Sequence, residues 1–252
     1  MSAGKLTLVG AGPGDPELIT LKGVRALSEA DVILYDALAN EQLLEHAPQA
    51  EKIFVGKRRG MHKFMQLKIQ ELIVEHAQQG KHVVRLKGGD PFIFGRGAEE
   101  LKYVLERGID FEIVSGVTSA IAAPASFGIS LTQRGVNESF RVITGTTSDV
   151  TLSEDIEAAA SSNVTIVVLM GMSKLEKIVN AFLAHGKGEI PVAIIENGTW
   201  EKEQLAIGKI DTILEVINQR GLSNPSMIVI GETVKQSEVL YRYLLERKNK
   251  TL

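Results

Sequence analysis

The chain of 252 residues contains no cysteine. This absence excludes disulfide bridges, thiolate metal ligands, iron–sulfur clusters and cysteine nucleophiles. The longest apolar stretch, residues 164–172, is far shorter than the ~20 residues that a membrane-spanning helix needs. Residues 1–14 carry one basic residue and a short apolar run, which is not the pattern of a signal peptide. We therefore expect a cytoplasmic protein without a membrane partner.

The chain also lacks an excess of basic residues and has few aromatic ones. Lysine and arginine number 28 against 31 aspartates and glutamates, the net charge is −3, and aromatic residues make up 5%. Proteins that bind nucleic acid are usually basic and stack bases on aromatic side chains. We therefore expect no nucleic-acid partner, and an anionic ligand would need basic residues that are clustered locally.

Short apolar strands alternate with amphipathic helices in the first half of the chain. The predicted strands are Leu6–Val9, Val32–Tyr35, Ile53–Val55, Val83–Leu86 and Phe111–Val114, and the predicted helices are Leu21–Ser28, Gln66–Gln79 and Ala98–Glu106. In the second of these helices the apolar residues recur on one face, and Gly80 suits its C-terminal cap. This alternation predicts an α/β fold.

The second half of the chain repeats the alternation less regularly. Its predicted strands are Arg141–Thr144, Thr165–Leu169, Pro191–Ile195 and Met227–Ile230, and its predicted helices are Lys174–Ala184 and Thr212–Gln219. The segment Ser115–Thr118, which contains glycine and serine, is the candidate hinge. We therefore predict two α/β domains, residues 1–114 and 115–252.

The first predicted strand leads directly into a glycine-rich loop, GAGPGDP at residues 10–16. A glycine loop after a strand, with Asp36 at the end of the second strand, suggests a dinucleotide-binding oxidoreductase. The G-x-G-x-x-G fingerprint, however, requires glycine where Asp15 stands, and Pro13 and Pro16 interrupt the turn. A carboxylate would also repel the pyrophosphate. The oxidoreductase remains only an alternative, beside a purely structural glycine turn.

A second loop repeats the Gly-Asp-Pro sequence of the first. Residues 83–86 lead into residues 87–92, KGGDPF, so both loops follow an apolar strand. Loops at the carboxyl ends of strands line the ligand crevice of an α/β sheet. Two interpretations stay open: a small-molecule site in which Asp90 accepts from a ligand hydroxyl or faces a cationic centre, or a pair of Asx turns.

Eight short motifs follow one another along nearly the whole chain. They are GAGPGDP at 10–16, VGKR at 55–58, RLKGGDPFIFGRG at 85–97, SGVTSA at 115–120, LTQR at 131–134, MGM at 170–172, ENGT at 196–199 and NPS at 224–226. In sequence and in order they resemble the motifs of the tetrapyrrole methylases. The run at 85–97 is the longest and the most specific of them.

The resemblance implies two α/β domains of the class III methyltransferase type, with an active-site cleft between them. It implies S-adenosyl-L-methionine as methyl donor, S-adenosyl-L-homocysteine as product, and a homodimer. The implied reaction is two methyl transfers to uroporphyrinogen III, at C2 and C7, giving precorrin-2 by way of precorrin-1, towards sirohaem and cobalamin. Methylases of the same fold that act on other precorrins are the nearest alternative.

The resemblance also assigns residues to the donor site. The matched positions are Pro13, Gly88, Gly89, Asp90, Ile93, Thr118, Ser119, Met170 and Gly198. Ser119 stands where relatives often have alanine. A flexible, polarizable methionine suits an apolar wall beside the donor, although Met170 by itself would equally fit an ordinary core position at a strand end.

Asp36 and Lys57 match the positions of a proton acceptor and a proton donor. A ring proton must leave after methyl transfer, which a carboxylate can accept, and a lysine with a lowered pKa can return one. The alternatives are that Asp36 only caps the following turn and that Lys57 is solvated. Holding donor and acceptor in line is a further source of rate.

A substrate with eight carboxylates accounts for basic residues in an acidic chain. Arg96 and Arg134 lie in matched motifs, and arginine binds carboxylates in a bidentate manner. Glu99, one helical turn beyond Arg96, is placed to orient that guanidinium or to reach a pyrrole N–H. The basic segment 57–63 either contributes to this binding or is a solvated surface. The histidines show no metal-ligand spacing, and we expect no metal.

Overall fold

In a computed structural model of the chain, residues 4–56, 62–147, 149 and 151–251 are described, with the backbone alone for 62–65 and 248–251. The chain divides into two compact units, Met1–Ser119 and Ala120–Leu252, called unit 1 and unit 2 below. The predicted hinge 115–118 lies within unit 1, because the backbone N–H of Gly116 donates to Asp90. The boundary between the two units lies after Ser119, whereas the predicted domain boundary lies between residues 114 and 115.

Unit 1 contains five strands and three complete helices. They are β1 (Lys5–Gly10), α1 (Leu21–Ser28), β2 (Val32–Tyr35), β3 (Glu51–Phe54), α2 (His62–Gln78), β4 (His82–Lys87), α3 (Gly97–Leu105) and β5 (Asp110–Val114), with short 3-10 helices at Pro16–Leu18 and Glu41–His46. The strands form one sheet in the order β3-β2-β4-β1-β5, and every pair is parallel.

The unit 1 sheet is covered on both faces, which explains its apolar strands. Helix α1 packs on one face of the sheet through its residues Ala26 and Leu27, and helices α2 and α3 pack on the other face. The hydroxyl of Thr20 caps α1 by accepting from the N–H of Gly23. In α2, Ile69, Ile73 and Ala77 are buried as the periodic pattern predicts.

The connections of unit 1 reverse direction between two neighbouring strands. Strand β1 leads through α1 towards β2 on one side, and β4 leads through α3 towards β5 on the other. β1 and β4 are adjacent in the sheet, and the loops that leave their carboxyl ends lead to helices on opposite faces, α1 and α3. This is the topological switch point at which α/β sheets bind ligands.

Unit 2 contains a mixed sheet. Its strands are β6 (Phe140–Thr144), β7 (Thr165–Leu169), β8 (Pro191–Glu196), β9 (Gln204–Lys209) and β10 (Ser226–Ile230), in the order β6-β7-β10-β8-β9. Strands β6 and β7 are parallel, and the other three pairs are antiparallel. A 3-10 helix lies at Met172–Lys174. The helices are α4 (Ser119–Ser126), which begins at the last residue of unit 1, α5 (Asp155–Ser161), α6 (Leu175–Ala184), α7 (Ile213–Arg220), α8 (Glu232–Gln236) and α9 (Glu238–Thr251).

The predicted α/β class is confirmed in both units. The predicted bounds of α1, β2 and β7 coincide with those of the structure, and the other predicted elements differ by a few residues at their ends. The sequence pattern does not predict α4, α5, β9, α8 or α9. Within the described parts of the chain, every helix is too short or too polar to cross a bilayer.

Candidate active site

Two glycine loops meet at the switch point of unit 1. Their contact is a pair of backbone hydrogen bonds: the N–H of Gly89 donates to the carbonyl oxygen of Gly12 over 2.7 Å, and the N–H of Gly12 donates to that of Gly89 over 3.2 Å. The N–H of Ala11 donates to the carbonyl of Lys87 over 2.8 Å. The loops after β1 and β4 are therefore joined into one floor, as the repeated Gly-Asp-Pro sequence suggests.

Three glycines make this floor compact. A Cβ added to Gly10 would lie 2.5 Å from the Cα of Gly116 and 2.7 Å from the carbonyl oxygen of Gly89. A Cβ added to Gly116 would lie 2.7 Å from the Cα of Gly10. Because real Cβ atoms do not approach other heavy atoms so closely, only glycine fits at Gly10 and Gly116. The backbones after β1, β4 and β5 thus touch directly.

The two aspartates of the loops form Asx turns. The N–H of Glu17 donates to Asp15 Oδ1 over 2.8 Å, and the N–H of Phe92 donates to Asp90 Oδ1 over 2.8 Å. Asp90 Oδ2 also accepts from the N–H of Gly116 over 3.0 Å. The turn interpretation therefore holds for both loops. It coexists with a ligand site, since Asp90 ties the loop after β5 to the same floor.

Several of the predicted donor-binding residues lie together in unit 1. A Cβ on Gly89 would approach the backbone of Thr118 and Ser119 to 3.9 Å, so those three residues are neighbours. Pro13 lies in the loop joined to Gly89, and Gly88 directly precedes it. The side chain of Ile93 is 43% exposed at the same edge of the sheet.

The other two predicted donor-binding residues follow strands of unit 2. Met170 comes after β7 with a left-handed φ of 54° and is 52% exposed. The ordinary core position considered for it is therefore wrong. Gly198 comes after β8, where an added Cβ would collide with the Cβ of Ala123. Asn197 and Thr199, on either side of Gly198, also have positive φ, and such strained residues concentrate at functional sites.

These features fit S-adenosylmethionine in chemical type. Gly89 carries no side chain and its peptide groups are paired with Gly12, so it offers a backbone surface against which an adenosyl group can pack. Exposed Ile93 and Met170 are apolar side chains that match the thioether and methylene parts of the donor. Each unit thus presents groups of the kinds that the donor needs.

Asp36 is held from two directions. Its Oδ1 accepts from the N–H of Leu38 over 3.1 Å, which is the turn-capping contact, and its Oδ2 accepts from Arg85 Nη2 over 2.8 Å. The side chain of Asp36 is 24% exposed, while that of Arg85 is only 4% exposed. The carboxylate therefore lies at the carboxyl edge of the sheet and is fixed to a buried cation beneath it.

Arg85 belongs to a buried charge cluster that sequence analysis misses. Glu100 of α3, whose side chain is 0% exposed, places Oε1 3.0 Å from Lys87 Nζ and 3.6 Å from Arg85 Nε. Gln66 Nε2 donates to the same oxygen over 2.9 Å. We call Asp36, Arg85, Lys87 and Glu100 the charge cluster, since they supply two positive and two negative groups.

A signal for this cluster exists in the sequence. Arg85 and Lys87 are two apart in an otherwise apolar strand, so they point to the same face of the sheet. Glu100 occupies a buried position of α3, in line with Gly97, Leu101 and Val104. Charged residues at core positions are rarely buried unless they are paired. Burial, and after it the charge of Arg85, lowers the pKa of Lys87, while Glu100 acts in the opposite sense.

Arg96 and Glu99 form a bidentate ion pair at the start of α3. Arg96 Nε donates to Oε1 over 2.9 Å and Nη2 donates to Oε2 over 2.7 Å. This bond raises the pKa of Arg96 and lowers the pKa of Glu99. Arg96 has a left-handed φ of 60°. The orienting contact expected between the two residues is therefore present.

Arg134 lies in unit 2, in a turn closed by the pairing of Gln133 with Asn137. It is exposed, and no carboxylate of the described residues pairs with it. Lys57, Arg58 and Arg59 lie outside the described residues. Lys63 falls in the part of α2 for which the backbone alone is described. No metal-binding group of three or more side chains occurs in the parts of the chain that are described.

Fold and geometry together define an α/β protein with a candidate small-molecule site at the carboxyl edge of the unit 1 sheet. The family model for Tetrapyrrole (Corrin/Porphyrin) Methylases matches residues 5–214. The chain belongs to this family, as the motifs predict. With that membership the dinucleotide-binding alternative has no remaining support.

Similar proteins cover the chain almost completely. The uroporphyrinogen-III C-methyltransferase of Methanocaldococcus jannaschii is 46% identical over 234 residues, which are 92% of this chain and 97% of that protein. That of Bacillus subtilis is 43% identical over 246 residues, 96% of this chain and 94% of that protein. The crystal structure of uroporphyrin-III C-methyl transferase from Thermus thermophilus with S-adenyl homocysteine has a TM-score of 0.79 and 37% identity, over 92% of this chain and 99% of that one.

Proposed function

We propose that this protein is an S-adenosylmethionine-dependent C-methyltransferase that acts on uroporphyrinogen III. Segment 85–97 gives the strongest support, because it contains both the second glycine loop and the Arg96–Glu99 pair. The chain is also 46% identical to a protein named uroporphyrinogen-III C-methyltransferase. We propose transfers at C2 and then C7, giving precorrin-2 by way of precorrin-1.

The bound donor supplies an electrophilic methyl group, and the chain supplies position and proton handling. Glycine backbone at 88–89, with the neighbouring backbone of Thr118 and Ser119, binds the donor in unit 1. Pro13, Asp90 and Ile93 shape that part of the site, and Met170 and Gly198 contribute from unit 2. Holding the reactants in line is the main source of rate in such a displacement.

Asp36 accepts the proton that leaves the ring after methyl transfer. Its carboxylate lies at the carboxyl edge of the sheet, is partly exposed, and is kept in place by Arg85. Lys57, three residues after the end of β3 in the sequence, is proposed as the proton donor. These roles match the requirement that a general base be ionised and be held in a fixed orientation.

Arg96 and Arg134 bind carboxylates of the substrate. Glu99 fixes the plane of the Arg96 guanidinium through two hydrogen bonds, which leaves its remaining N–H groups for a substrate carboxylate. Arg134 is exposed and free of an ion pair with any described carboxylate, so its donors are available. The net charge of −3 does not prevent binding of an anionic substrate, because Arg96 and Arg134 supply positive charge where its carboxylates are proposed to bind.

The reaction itself provides the test. Purified protein incubated with uroporphyrinogen III and S-adenosylmethionine should yield a product heavier by two methyl groups, as measured by mass spectrometry after oxidation. Other precorrins, offered under the same conditions, should remain unmethylated. Failure to methylate freshly prepared uroporphyrinogen III, with donor binding demonstrated by calorimetry, would overturn the proposal, and preferred methylation of another precorrin would replace the substrate.

Arg134→Ala should weaken substrate binding without changing donor binding. The expected rise in KM for uroporphyrinogen III is about 10- to 100-fold, since a charge-assisted hydrogen bond contributes ~1.5–3 kcal/mol. The Kd for S-adenosylhomocysteine should change by less than about twofold. Arg220→Ala is the matched control, because that arginine is in unit 2 but donates to the backbone carbonyl of Leu205. Equal loss of affinity for both ligands in Arg134→Ala would contradict the assignment.

We further propose a homodimer in the cytoplasm, with product passed to sirohaem or cobalamin synthesis. The two domains are proposed to divide near residue 115. Analytical ultracentrifugation of the full chain tests the dimer, since a sedimenting species with the mass of one chain would contradict it.

A further inference from the structure

We propose that Glu100 is a positioning residue for the reaction: it anchors Arg85, and Arg85 in turn holds the carboxylate of Asp36 in its working orientation. This inference rests on the proposed function, which makes Asp36 the proton acceptor. Glu100 reaches no ligand itself, because its side chain is completely buried between α3 and the sheet.

Arg85 connects the sheet edge to the interior. One end of its guanidinium, Nη2, donates to Asp36 Oδ2 over 2.8 Å, and Nη1 donates to the carbonyls of Leu86 and Leu34 over 2.7 and 3.2 Å. The Nε end faces Glu100 Oε1 at 3.6 Å. Rotation of this planar group about its axis would move Nη2 away from Asp36. The charge of Glu100 at the Nε end and the carboxylate of Asp36 at the Nη2 end thus act on one planar group.

The charges of the cluster require Glu100. Arg85 and Lys87 are both nearly buried and lie on the same face of β4. Two buried cations repel each other in a medium of low polarity and need a compensating anion. Asp36 is partly exposed and forms an ion pair with Arg85, whereas Glu100 lies within ion-pair distance of both cations. Without Glu100, Arg85 would lose its interior counter-charge and face Lys87 uncompensated.

Two atoms of the cluster are left without a hydrogen bond. Among the described residues, neither Arg85 Nε nor Glu100 Oε2 has a partner, although both are buried. Leaving a buried polar group unpaired costs free energy. Native structures therefore keep such a group only where another interaction requires it. Here the backbone carbonyls and Asp36 keep the guanidinium at 3.6 Å from Glu100. Arg85 therefore hydrogen-bonds Asp36 and forms no direct hydrogen bond with Glu100.

Gln66 provides the comparison that isolates this role. It donates to Glu100 Oε1, the oxygen that faces both cations, but carries no charge. Gln66→Met removes that neutral contact and leaves Glu100 facing Arg85, so the hold on Asp36 should persist. Glu100→Gln preserves the shape of the side chain and removes the charge that both cations share.

We expect Glu100→Gln to reduce kcat by about 10- to 100-fold with KM for S-adenosylmethionine within about twofold, because misplacement of a reacting group acts on the chemical step. Gln66→Met should keep kcat within about threefold of the unchanged protein. A crystal structure of Glu100→Gln should show the Arg85 Nη2–Asp36 Oδ2 contact lengthened from 2.8 Å. An equal loss of kcat in Gln66→Met would overturn the proposal.

Thermal unfolding of the variants separates positioning from stability. Assayed well below its unfolding temperature, Glu100→Gln should be fully folded and still show the low kcat, and a kcat that rose to the level of Gln66→Met under those conditions would overturn the proposal. If the unchanged protein shows no turnover, the proposed function is overturned instead. The Arg85–Asp36 distance in the Glu100→Gln crystal would then still decide whether Glu100 positions Asp36.

Discussion

Gly116→Ala should destabilise unit 1 by about 3 kcal/mol and abolish binding of S-adenosylhomocysteine, since overpacking of a close backbone contact costs ~1–3 kcal/mol and occasionally more. The added Cβ would lie 2.7 Å from the Cα of Gly10 and would collide with the carbonyl oxygen of Gly89. Neither atom belongs to a flexible side chain that could move aside. Chemical denaturation measures the loss of stability, and calorimetry measures ligand binding.

Gly188→Ala is the matched control for this substitution. A Cβ there meets only side-chain atoms at 3.4 and 3.7 Å, which is ordinary van der Waals contact. We expect its free energy of unfolding to stay within ~0.5 kcal/mol of the unchanged protein. If Gly116→Ala were as stable as the control and still bound the ligand, the glycine contact would not be the element that fixes the loops.

Asp36→Asn should lower kcat by about 10²- to 10⁴-fold, the range that general acid–base catalysis contributes. Asparagine keeps the shape of the side chain, and its single oxygen can accept from either Leu38 or Arg85, but it cannot take up the ring proton. The Kd for S-adenosylhomocysteine should be little changed, because the glycine loops that are proposed to bind it do not involve this carboxylate. Single-turnover kinetics with uroporphyrinogen III measures the effect on the chemical step.

Asp110→Asn serves as the control, because Asp110 is exposed at the opposite, amino-terminal end of the same sheet, where it accepts from the N–H of Phe111. Its kcat should equal that of the unchanged protein. An Asp36→Asn variant that retained full kcat would show that the proton leaves directly to solvent and would remove Asp36 from the mechanism.

The fold is largely predictable because its strands are short, apolar and separated by amphipathic helices. Strands β2 and β7 and helix α1 are predicted at their observed bounds. Helix α4 is missed because it consists of small residues and contains Pro124, which sequence rules exclude from a helix interior. Strand β9 is missed because it ends in polar residues and contains Gly208.

The floor of the site is predictable from its repeated sequence, whereas the pairing of charges within the charge cluster is not. Two Gly-Asp-Pro loops that each follow a strand predict that both loops lie at the same edge of the sheet. The parallel pairing of β1 with β4 brings the two loops together. Partners of Arg85 cannot be chosen from the sequence, because Glu99, Glu100 and Asp36 are all compatible with its place in the strand. The packing of α3 against the sheet directs Glu100 inward and Glu99 outward.

The double hydrogen bond between Gly12 and Gly89 affects the thermodynamics of ligand capture. Its donors and acceptors are peptide groups within one unit, so the two loops lose their conformational freedom when the chain folds. A ligand that binds on this floor then meets loops that are already ordered, and the entropic cost of ordering them does not reduce its affinity. Affinity at this edge is therefore set by ligand contacts and desolvation, and loop residues far from the ligand have little influence on it.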